Sequence, residues 1–393
     1  MTQNYKITKY TCYLFYVLQG TLLNLTPLLF VPLMEQYGLS YMKLGALASV
    51  NFATQLIVDI VLSKLTDKHR YRISLRLSAS AAFIGYMIFA WAPGRLGDPY
   101  TWLLIGTVVY SIGAGLMEIT ISPLIHALPD KAKGKSMAIL HSFYAWGVVL
   151  TVIVSTSVLA IIGRDKWNFI VTGWLIVPVI GFILSCIMPV PKPESGENER
   201  TAGSFRILIK PAFILFLAMI FFGSCAEAVM TQWSSAFLER AVGLDKLIGD
   251  IAGMSMFALM LGLCRMASAA LDKKISLSTY MMLGTIGAVI CYIIVSVSNV
   301  AAVSLIFCAL TGFMVGMLWP GTLVLAADAF PKAGAWLFAY LAVAGDLGGV
   351  FGPWITGAIA DRSGLNAGLG AAAIFPVIGL ICMIIYKRRT RSA

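Results

Sequence analysis

The sequence predicts an all-α membrane protein with twelve transmembrane helices in two pseudo-symmetric six-helix bundles. The first reason is composition, because 59% of the 393 residues are hydrophobic, only 12% are charged and the mean hydropathy is +0.86. A soluble globule of this size does not carry so many apolar residues. The second reason is that the apolar residues fall into twelve runs, and the third is that the two halves of the chain share landmarks.

The twelve runs are long enough to cross a hydrocarbon core of about 30 Å as helices, since about 20 residues are needed. They occupy residues 9–34, 43–63, 73–92, 100–127, 135–162, 167–189, 209–238, 247–271, 276–298, 301–327, 333–360 and 367–386. Short charged loops separate them, and we number them spans 1 to 12.

The first six spans carry distinct signatures. Span 1 is too long for a cleavable signal peptide and continues with Gln19 and Asn24, so we expect it to remain as a helix. Span 2 leads into a strongly basic loop before span 3. Span 4 has polar residues at three- and four-residue steps, which form one helix face, and span 5 has a similar face. The stripe of span 4 comprises Ser111, Gly115, Glu118, Ser122 and His126, and we expect it to line a wet cavity.

The last six spans repeat this plan. Asp67-Lys68 after span 2 and Asp272-Lys273 after span 8 differ by 205 positions. Span 11 contains a glycine-rich stretch around Asp346, and span 12 ends in a basic cluster. We predict an N-terminal bundle at 1–189, a cytoplasmic linker rich in Pro, Gly, Glu and Ser at 190–208, and a C-terminal bundle at 209–393.

The net charge of +11 is explained by membrane topology and not by nucleic-acid binding. With the amino terminus inside, 21 of the 29 Lys and Arg residues fall in cytoplasmic segments, 7 in external loops and one, Arg265, within a span. The positive-inside rule then places both termini in the cytoplasm, for a protein of a plasma membrane or a bacterial inner membrane. The basic clusters contact lipid headgroups. The seven cysteines are scattered through apolar runs and imply neither a disulfide nor a zinc site, and we expect a monomer without cofactor.

The run Asp67-Lys68-x-Arg70-x-Arg72, with its echo at Asp272, resembles the cytoplasmic loop motif of the major facilitator superfamily. The resemblance covers the whole chain, although Ser63 stands where the family motif usually begins with Gly. It implies a transporter and not an enzyme. It also implies that this loop is an inner latch between the halves, with Asp67, Arg72 and Asp272 as the gating residues.

Three further segments resemble the fucose/glucose permease branch of that superfamily. They are Gly115-Leu-Met-Glu118, the stretch from His141 to Gly147, and Glu227 followed by Trp233. This resemblance implies proton-coupled sugar uptake in which Glu118 takes part. The acid that the branch often carries in helix 1 is replaced here by amides.

Charged groups at membrane depth need partners, water or a function. Glu118 and His141 lie about 9 to 14 Å from the cytoplasmic ends of their spans, and Arg265 about 9 Å. We therefore predict that these three couple proton movement to transport. The alternative is a permanent salt bridge that only joins helices, either Glu118–Arg265 or one from Asp59 to a loop. Glu227 lies nearer the outside, and the axial rise predicts no direct pairing with Arg265. Glu227 and Asp346 are candidate substrate-site residues or buried structural acids.

Sugars are bound by amides and carboxylates on their hydroxyls and by aromatic rings on their apolar faces. The predicted sugar contacts besides the two acids are Gln19, Asn24, Asn51, Gln55, Tyr144, Trp146, Trp233 and Trp319. Asn51 and Gln55 are one turn apart and share a face. Each amide is alternatively a helix-to-helix hydrogen bond.

Two other functions remain open from the residues alone. Proton-coupled efflux of amphipathic, drug-like compounds is favoured by Met-rich stretches such as Met254, Met256 and Met260. A membrane sensor or intramembrane enzyme is disfavoured, because the sequence offers no nucleophile–base pair and no metal cluster.

Overall fold

The computed structural model describes residues 5–62, 71–128, 133–191, 210–271, 274–330 and 335–391. The chain divides into two compact units. Unit 1 comprises Met1–Leu39 and Val50–Glu197, and unit 2 comprises Ser40–Ser49 and Asn198–Ala393. A short stretch of the N-terminal half thus belongs to unit 2. The predicted linker at 190–208 lies almost entirely outside the described residues, and the domain boundaries stay a prediction.

Unit 1 contains helices α1 to α8, except for the first two turns of α3, which belong to unit 2. They are α1 Lys6–Leu28, α2 Phe30–Tyr37, α3 Tyr41–Leu62, α4 Tyr71–Trp91, α5 Pro99–His126, α6 Lys133–Ile162, α7 Trp167–Trp174 and α8 Ile176–Ile187. Helices α1 and α2 form one span bent by 44°. Pro27 lies at this bend, where it has no backbone N–H to donate and its ring crowds the preceding turn.

Unit 2 is built from α9 to α16. They are α9 Pro211–Arg240, α10 Lys246–Ile248, α11 Met256–Leu271, α12 Leu277–Val297, α13 Ala301–Val315, α14 Leu318–Ala329, α15 Ala335–Ala372 and α16 Ile374–Arg391. A π-helical turn, Gly249–Ser255, joins α10 to α11. Within α15, Gly364 has φ of 84°, a left-handed backbone that interrupts the helix and separates spans 11 and 12.

Ten helical stretches of the described chain are long and apolar enough to cross a membrane, or eleven if the bent pair α1 and α2 is one span. The last stretch, Tyr340–Arg389, is 50 residues long and contains the break at Gly364. Dividing it there gives the twelve predicted spans. The prediction of an all-α membrane protein is confirmed.

Glycines let helices α4 and α5 approach closely. A Cβ atom on Gly85 would lie 2.7 Å from the Cα of Tyr110, and one on Gly106 would lie 2.8 Å from the backbone nitrogen of Phe89. Small residues allow such contact where dispersion, rather than the hydrophobic effect, drives helix association. This pair of helices fixes the position of α5, which carries Glu118.

We predict that Gly85→Ala destabilises unit 1 by about 1–3 kcal/mol, because the neighbouring backbone cannot rotate away from the added methyl group. The matched control is Gly173→Ala in α7, where an added Cβ would meet no described atom within 4 Å. Thermal unfolding in detergent measures the difference. A melting temperature of Gly85→Ala equal to that of the control would contradict the close packing.

A buried ionic cluster lies at the start of the eighth span. The Lys246 Nζ atom is 3.0 Å from Asp250 Oδ2 and 3.8 Å from Glu239 Oε2, and the Ser235 hydroxyl donates to Asp250. The three charged side chains are at most 7% exposed. Lys246 was assigned to an external loop from the sequence, whereas the structure buries it as the partner of two acids.

Candidate functional site

A chain of buried side-chain hydrogen bonds joins three helices of unit 1. Gln19 on α1 donates from Nε2 to Gln55 Oε1 on α3 at 3.0 Å, and Gln55 Nε2 donates to Asn51 Oδ1 at 2.8 Å. Ser111 on α5 donates to the same Asn51 oxygen at 2.9 Å. Because these side chains are all buried, each polar atom needs such a partner. The network holds the predicted amides in fixed orientations.

A second feature of unit 1 is the close crossing of α1 and α6. A Cβ on Gly20 would lie 2.8 Å from the Tyr144 carbonyl oxygen, and one on Gly147 would lie 2.7 Å from the Val17 Cα. This approach brings Asn24 Nδ2 to 3.5 Å from the Tyr144 hydroxyl, while the same nitrogen donates to the Gly20 carbonyl at 2.9 Å. The sequence therefore positions Tyr144 beside Asn24 through two glycines.

Two acceptor atoms of these amides are left over. Gln19 Oε1 and Asn24 Oδ1 are buried and accept no hydrogen bond from the residues that the structure describes. A buried acceptor without a donor costs about 1–3 kcal/mol. Both atoms lie on α1, and both are suited to a hydroxyl or N–H donor from a ligand.

Glu118 occupies a different environment from the amides. Its side chain is exposed, on α5, one turn before Ser122, whose hydroxyl is 3.1 Å from the Tyr16 hydroxyl. The Glu118 carboxylate is near enough to Tyr16 to act on it electrostatically. A carboxylate at membrane depth needs water or a polar partner. Its exposure leaves Glu118 accessible to protons or to a ligand.

The polar stripe of α5 is divided between two environments. Ser111 is bonded to Asn51, and a Cβ on Gly115 would lie 2.8 Å from the Cβ of Val58 on α3. The expectation that these two residues line a cavity is wrong, because helix packing uses them. Among the stripe residues whose side chains the structure describes, which leaves out His126, only Glu118 is exposed, and Ser122 is half-buried. Helical periodicity reports the face but not whether another helix covers it.

In unit 2, Arg265 on α11 reaches the break between α13 and α14. Its Nε atom donates to the Gly316 carbonyl at 3.1 Å. In a continuous helix that carbonyl would accept from residue 320, but Pro320 has no N–H. The guanidinium thus satisfies an acceptor that the sequence leaves open. The Arg265 side chain is otherwise exposed.

Glu227 on α9 is half-buried and lies within electrostatic reach of Arg265. The described residues show no salt bridge between the two side chains, so the expectation that they do not pair directly is not contradicted. The two opposite charges belong to one polar region of unit 2.

The aromatic candidates and Asp346 have unequal surroundings. Trp233 is fully buried and donates its indole N–H to the Pro353 carbonyl at 3.0 Å. Trp319 is half-buried against Gly345 of α15, and Asp346 is half-buried on the same helix. Trp146 on α6 is 60% exposed. Of the three tryptophans, Trp146 offers the most free ring surface.

The gating candidates are only partly described. Asp67 and Asp272 lie outside the described residues, and so does the side chain of His141. Arg72 on α4 donates from Nε and from a terminal nitrogen to the Met188 carbonyl, at 2.9 and 2.6 Å. It therefore caps the end of α8, whose last carbonyls have no intrahelical donor. The gating role of Arg72 stays a prediction, since Asp67 lies outside the described residues.

Sequence reasoning missed Tyr16 as a neighbour of Glu118 and Ser111 as a member of the amide network. Tyr16 precedes Gln19 by three residues, so it shares the polar face of α1. That spacing was a usable signal. The partner of Ser111 was not visible from periodicity, since it depends on how α5 packs on α3.

Comparisons with known proteins give consistent results. The sequence profile of the Major Facilitator Superfamily matches residues 11–307 and 251–393. Synaptic vesicle 2-related proteins of Bos taurus and Xenopus laevis are 22% identical to this chain over 169 residues, which is 43% of the chain. The match spans 29% of the length of those relatives.

Solved structures share the fold at low sequence identity. A D-xylose–proton symporter has a TM-score of 0.79 at 15% identity and covers 98% of this chain and 97% of its own. A bacterial homologue of the human lysosomal transporter Spinster has a TM-score of 0.77 at 13% identity, covering 99% and 98%. A nucleoside transporter variant has a TM-score of 0.73 at 12% identity, covering 97% and 99%.

Proposed function

Since the chain belongs to the Major Facilitator Superfamily, whose members are membrane transporters, we propose that it takes up a sugar together with protons. This keeps the predicted likeness to the fucose/glucose permease branch as a proposal. The division at residues 190–208, the cytoplasmic termini and the monomeric state belong to the same proposal.

The observation that carries the sugar assignment is the pair of buried acceptors on α1. Gln19 Oε1 and Asn24 Oδ1 lack donors among the described residues, and a vicinal diol can supply one hydroxyl to an amide oxygen. The network through Gln55 and Asn51 fixes the Gln19 amide before the ligand arrives, which lowers the entropy lost on binding. An apolar ligand would leave both acceptors unpaired.

The proton assignment rests on Glu118. It is the exposed acid of α5, it lies within electrostatic reach of Tyr16, and it forms no ion pair with the residues that the structure describes, so it can take up or release a proton without breaking one. We propose Arg265 and Glu227 of unit 2 as the charged groups that respond to this change, together with His141. The exposed ring of Trp146 is the proposed stacking surface for a pyranose.

Two of the similar solved structures are transporters of hydroxylated solutes, a D-xylose–proton symporter and a nucleoside transporter. They are related to this chain by fold alone. A pyranose sugar and the ribose of a nucleoside both carry vicinal diols. In this proposal the amides of α1 recognise such a diol.

Uptake into proteoliposomes tests the proposal. The panel contains labelled hexoses, a pentose, a nucleoside and a lipophilic cation, each with and without an inwardly directed proton gradient. Accumulation of a hexose or pentose only with the gradient supports the proposal. Gradient-driven movement of the lipophilic cation alone would replace it with drug efflux, and accumulation independent of the gradient would remove the proton.

A further inference from the structure

The first residues of α3 are packed with unit 2, whereas the rest of that helix belongs to unit 1. We call residues Ser40–Ser49 the strap. One continuous helix, Tyr41–Leu62, therefore has its beginning in one unit and its end in the other. Because α3 is one continuous helix, a displacement of the strap would also displace the rest of α3.

A carboxylate from α15 caps the strap. Asp361 Oδ1 accepts from the Tyr41 backbone N–H at 2.6 Å, and Oδ2 accepts from the Met42 N–H at 2.9 Å. First-turn amides have no acceptor within their own helix. The negative charge also interacts favourably with the helix dipole. One side chain thereby satisfies two amides that are more than 300 residues away in the sequence.

Further contacts align the strap with α15. The Ser49 hydroxyl donates to the Val350 carbonyl at 2.6 Å. A Cβ on Gly45 would lie 2.8 Å from the Pro353 carbonyl oxygen, and one on Gly357 would lie 2.6 Å from the Tyr41 carbonyl oxygen. Contact at both glycines lets the two backbones meet along about two turns of each helix.

The two ends of this contact differ in their access to water. The hydrogen bonds from Tyr41 and Met42 to Asp361 are exposed, whereas the bond from Ser49 is partly buried. Water can replace the exposed bonds with little loss, so the strap can begin to separate at the Asp361 end. The exposed carboxylate makes this end the adjustable part of the contact.

We propose that Asp361 is a latch that holds the strap on unit 2 in one state of the transport cycle and releases it in another. A transporter needs contacts that form in one state and break in the next. The latch acts through the strap's amides and does not depend on which solute is carried. It lies on the side that the charge distribution predicts to be external.

Hydrogen–deuterium exchange of the full-length protein in lipid nanodiscs tests the contact. In Asp361→Asn the amide keeps one acceptor but loses the charge, so we expect exchange in the peptide covering 40–49 to become about tenfold faster. Asp245→Asn is the matched control. Asp245 caps α10 through the Leu247 N–H at 2.9 Å, and its loss should affect only that helix.

A functional measurement separates a latch from a static cap. Counterflow exchange of the transported solute should change by at least about threefold in Asp361→Asn and stay at the wild-type rate in Asp245→Asn. Gly357→Val, which places methyl groups against the Tyr41 carbonyl, should release the strap independently and alter exchange in the same direction.

Three results would overturn the latch. The first is unchanged deuterium exchange in 40–49 for Asp361→Asn. The second is faster exchange in the strap with an unaltered counterflow rate, which would make Asp361 a static cap. The third is equally faster exchange throughout α9 to α16, which would indicate a general loss of stability in unit 2.

Discussion

Glu118→Gln is expected to abolish proton-driven accumulation of the solute while leaving counterflow exchange and binding largely intact. The amide preserves the shape and hydrogen bonding of the side chain but cannot carry a proton. Glu118 is exposed on α5 and lies within electrostatic reach of Tyr16, so an amide of the same shape should disturb the packing of unit 1 little. Because an ionisable group at membrane depth is costly, its presence indicates a functional role.

The measurement is the ratio of internal to external solute in proteoliposomes under a fixed proton gradient. We expect this ratio to fall to about 1 in Glu118→Gln, the value for facilitated diffusion, and to stay above 1 in Glu118→Asp, which can still bind a proton. Glu35→Gln is the control, since Glu35 forms an exposed ion pair with Arg164 at 3.7 Å. Equal loss of exchange and accumulation would mark Glu118 as structural.

The sequence predicts the spans well because hydropathy and length alone decide them. It predicts the shared face of Asn51 and Gln55 equally well, and the 2.8 Å bond between them confirms it. That inference needs only the helical period. The choice between a ligand contact and a helix-to-helix bond needs the neighbouring helices, and the structure gives each of these amides a protein partner while leaving acceptors on Gln19 and Asn24.

The charged residues show a different limit of sequence reasoning. Axial rise places backbones and not side-chain ends, so it could not show that Glu227 and Arg265 lie within electrostatic reach of each other. Burial of Lys246 also escaped prediction, because its partner Glu239 lies on α9 and its partner Asp250 lies in a π-helical turn. Pro320, by contrast, is a local signal. Its missing N–H predicts an open carbonyl at Gly316, and only the identity of the donor, Arg265, required the structure.

The second large expected effect is a loss of sugar affinity when the amide network of Gln19, Gln55 and Asn51 is broken. Gln55→Ala removes the acceptor of Gln19 Nε2 and one of the two side-chain donors to Asn51 Oδ1, so Gln19 loses its fixed orientation. If the solute is a sugar, its binding should weaken by about 1–3 kcal/mol, which is the cost of a buried polar group without a partner. That corresponds to about 5- to 150-fold in affinity. Asn24→Ala should weaken sugar binding by a similar amount, because it removes the open acceptor Asn24 Oδ1. Trp146→Ala should also weaken binding, because it removes the ring on which the sugar stacks.

Affinities of one hexose and one lipophilic cation, measured across the same variants, distinguish the ligand classes. The cation depends mainly on buried apolar area and should be little affected by Gln55→Ala. Gln36→Ala is the matched control, because Gln36 on α2 accepts from the Trp167 indole and has no bond to the network. Unchanged hexose affinity in Gln55→Ala and Asn24→Ala, or no hexose binding at all, would exclude the sugar. The two open acceptors would then belong to bound water, and an amphipathic efflux substrate would explain the exposed Trp146 ring better than a pyranose does.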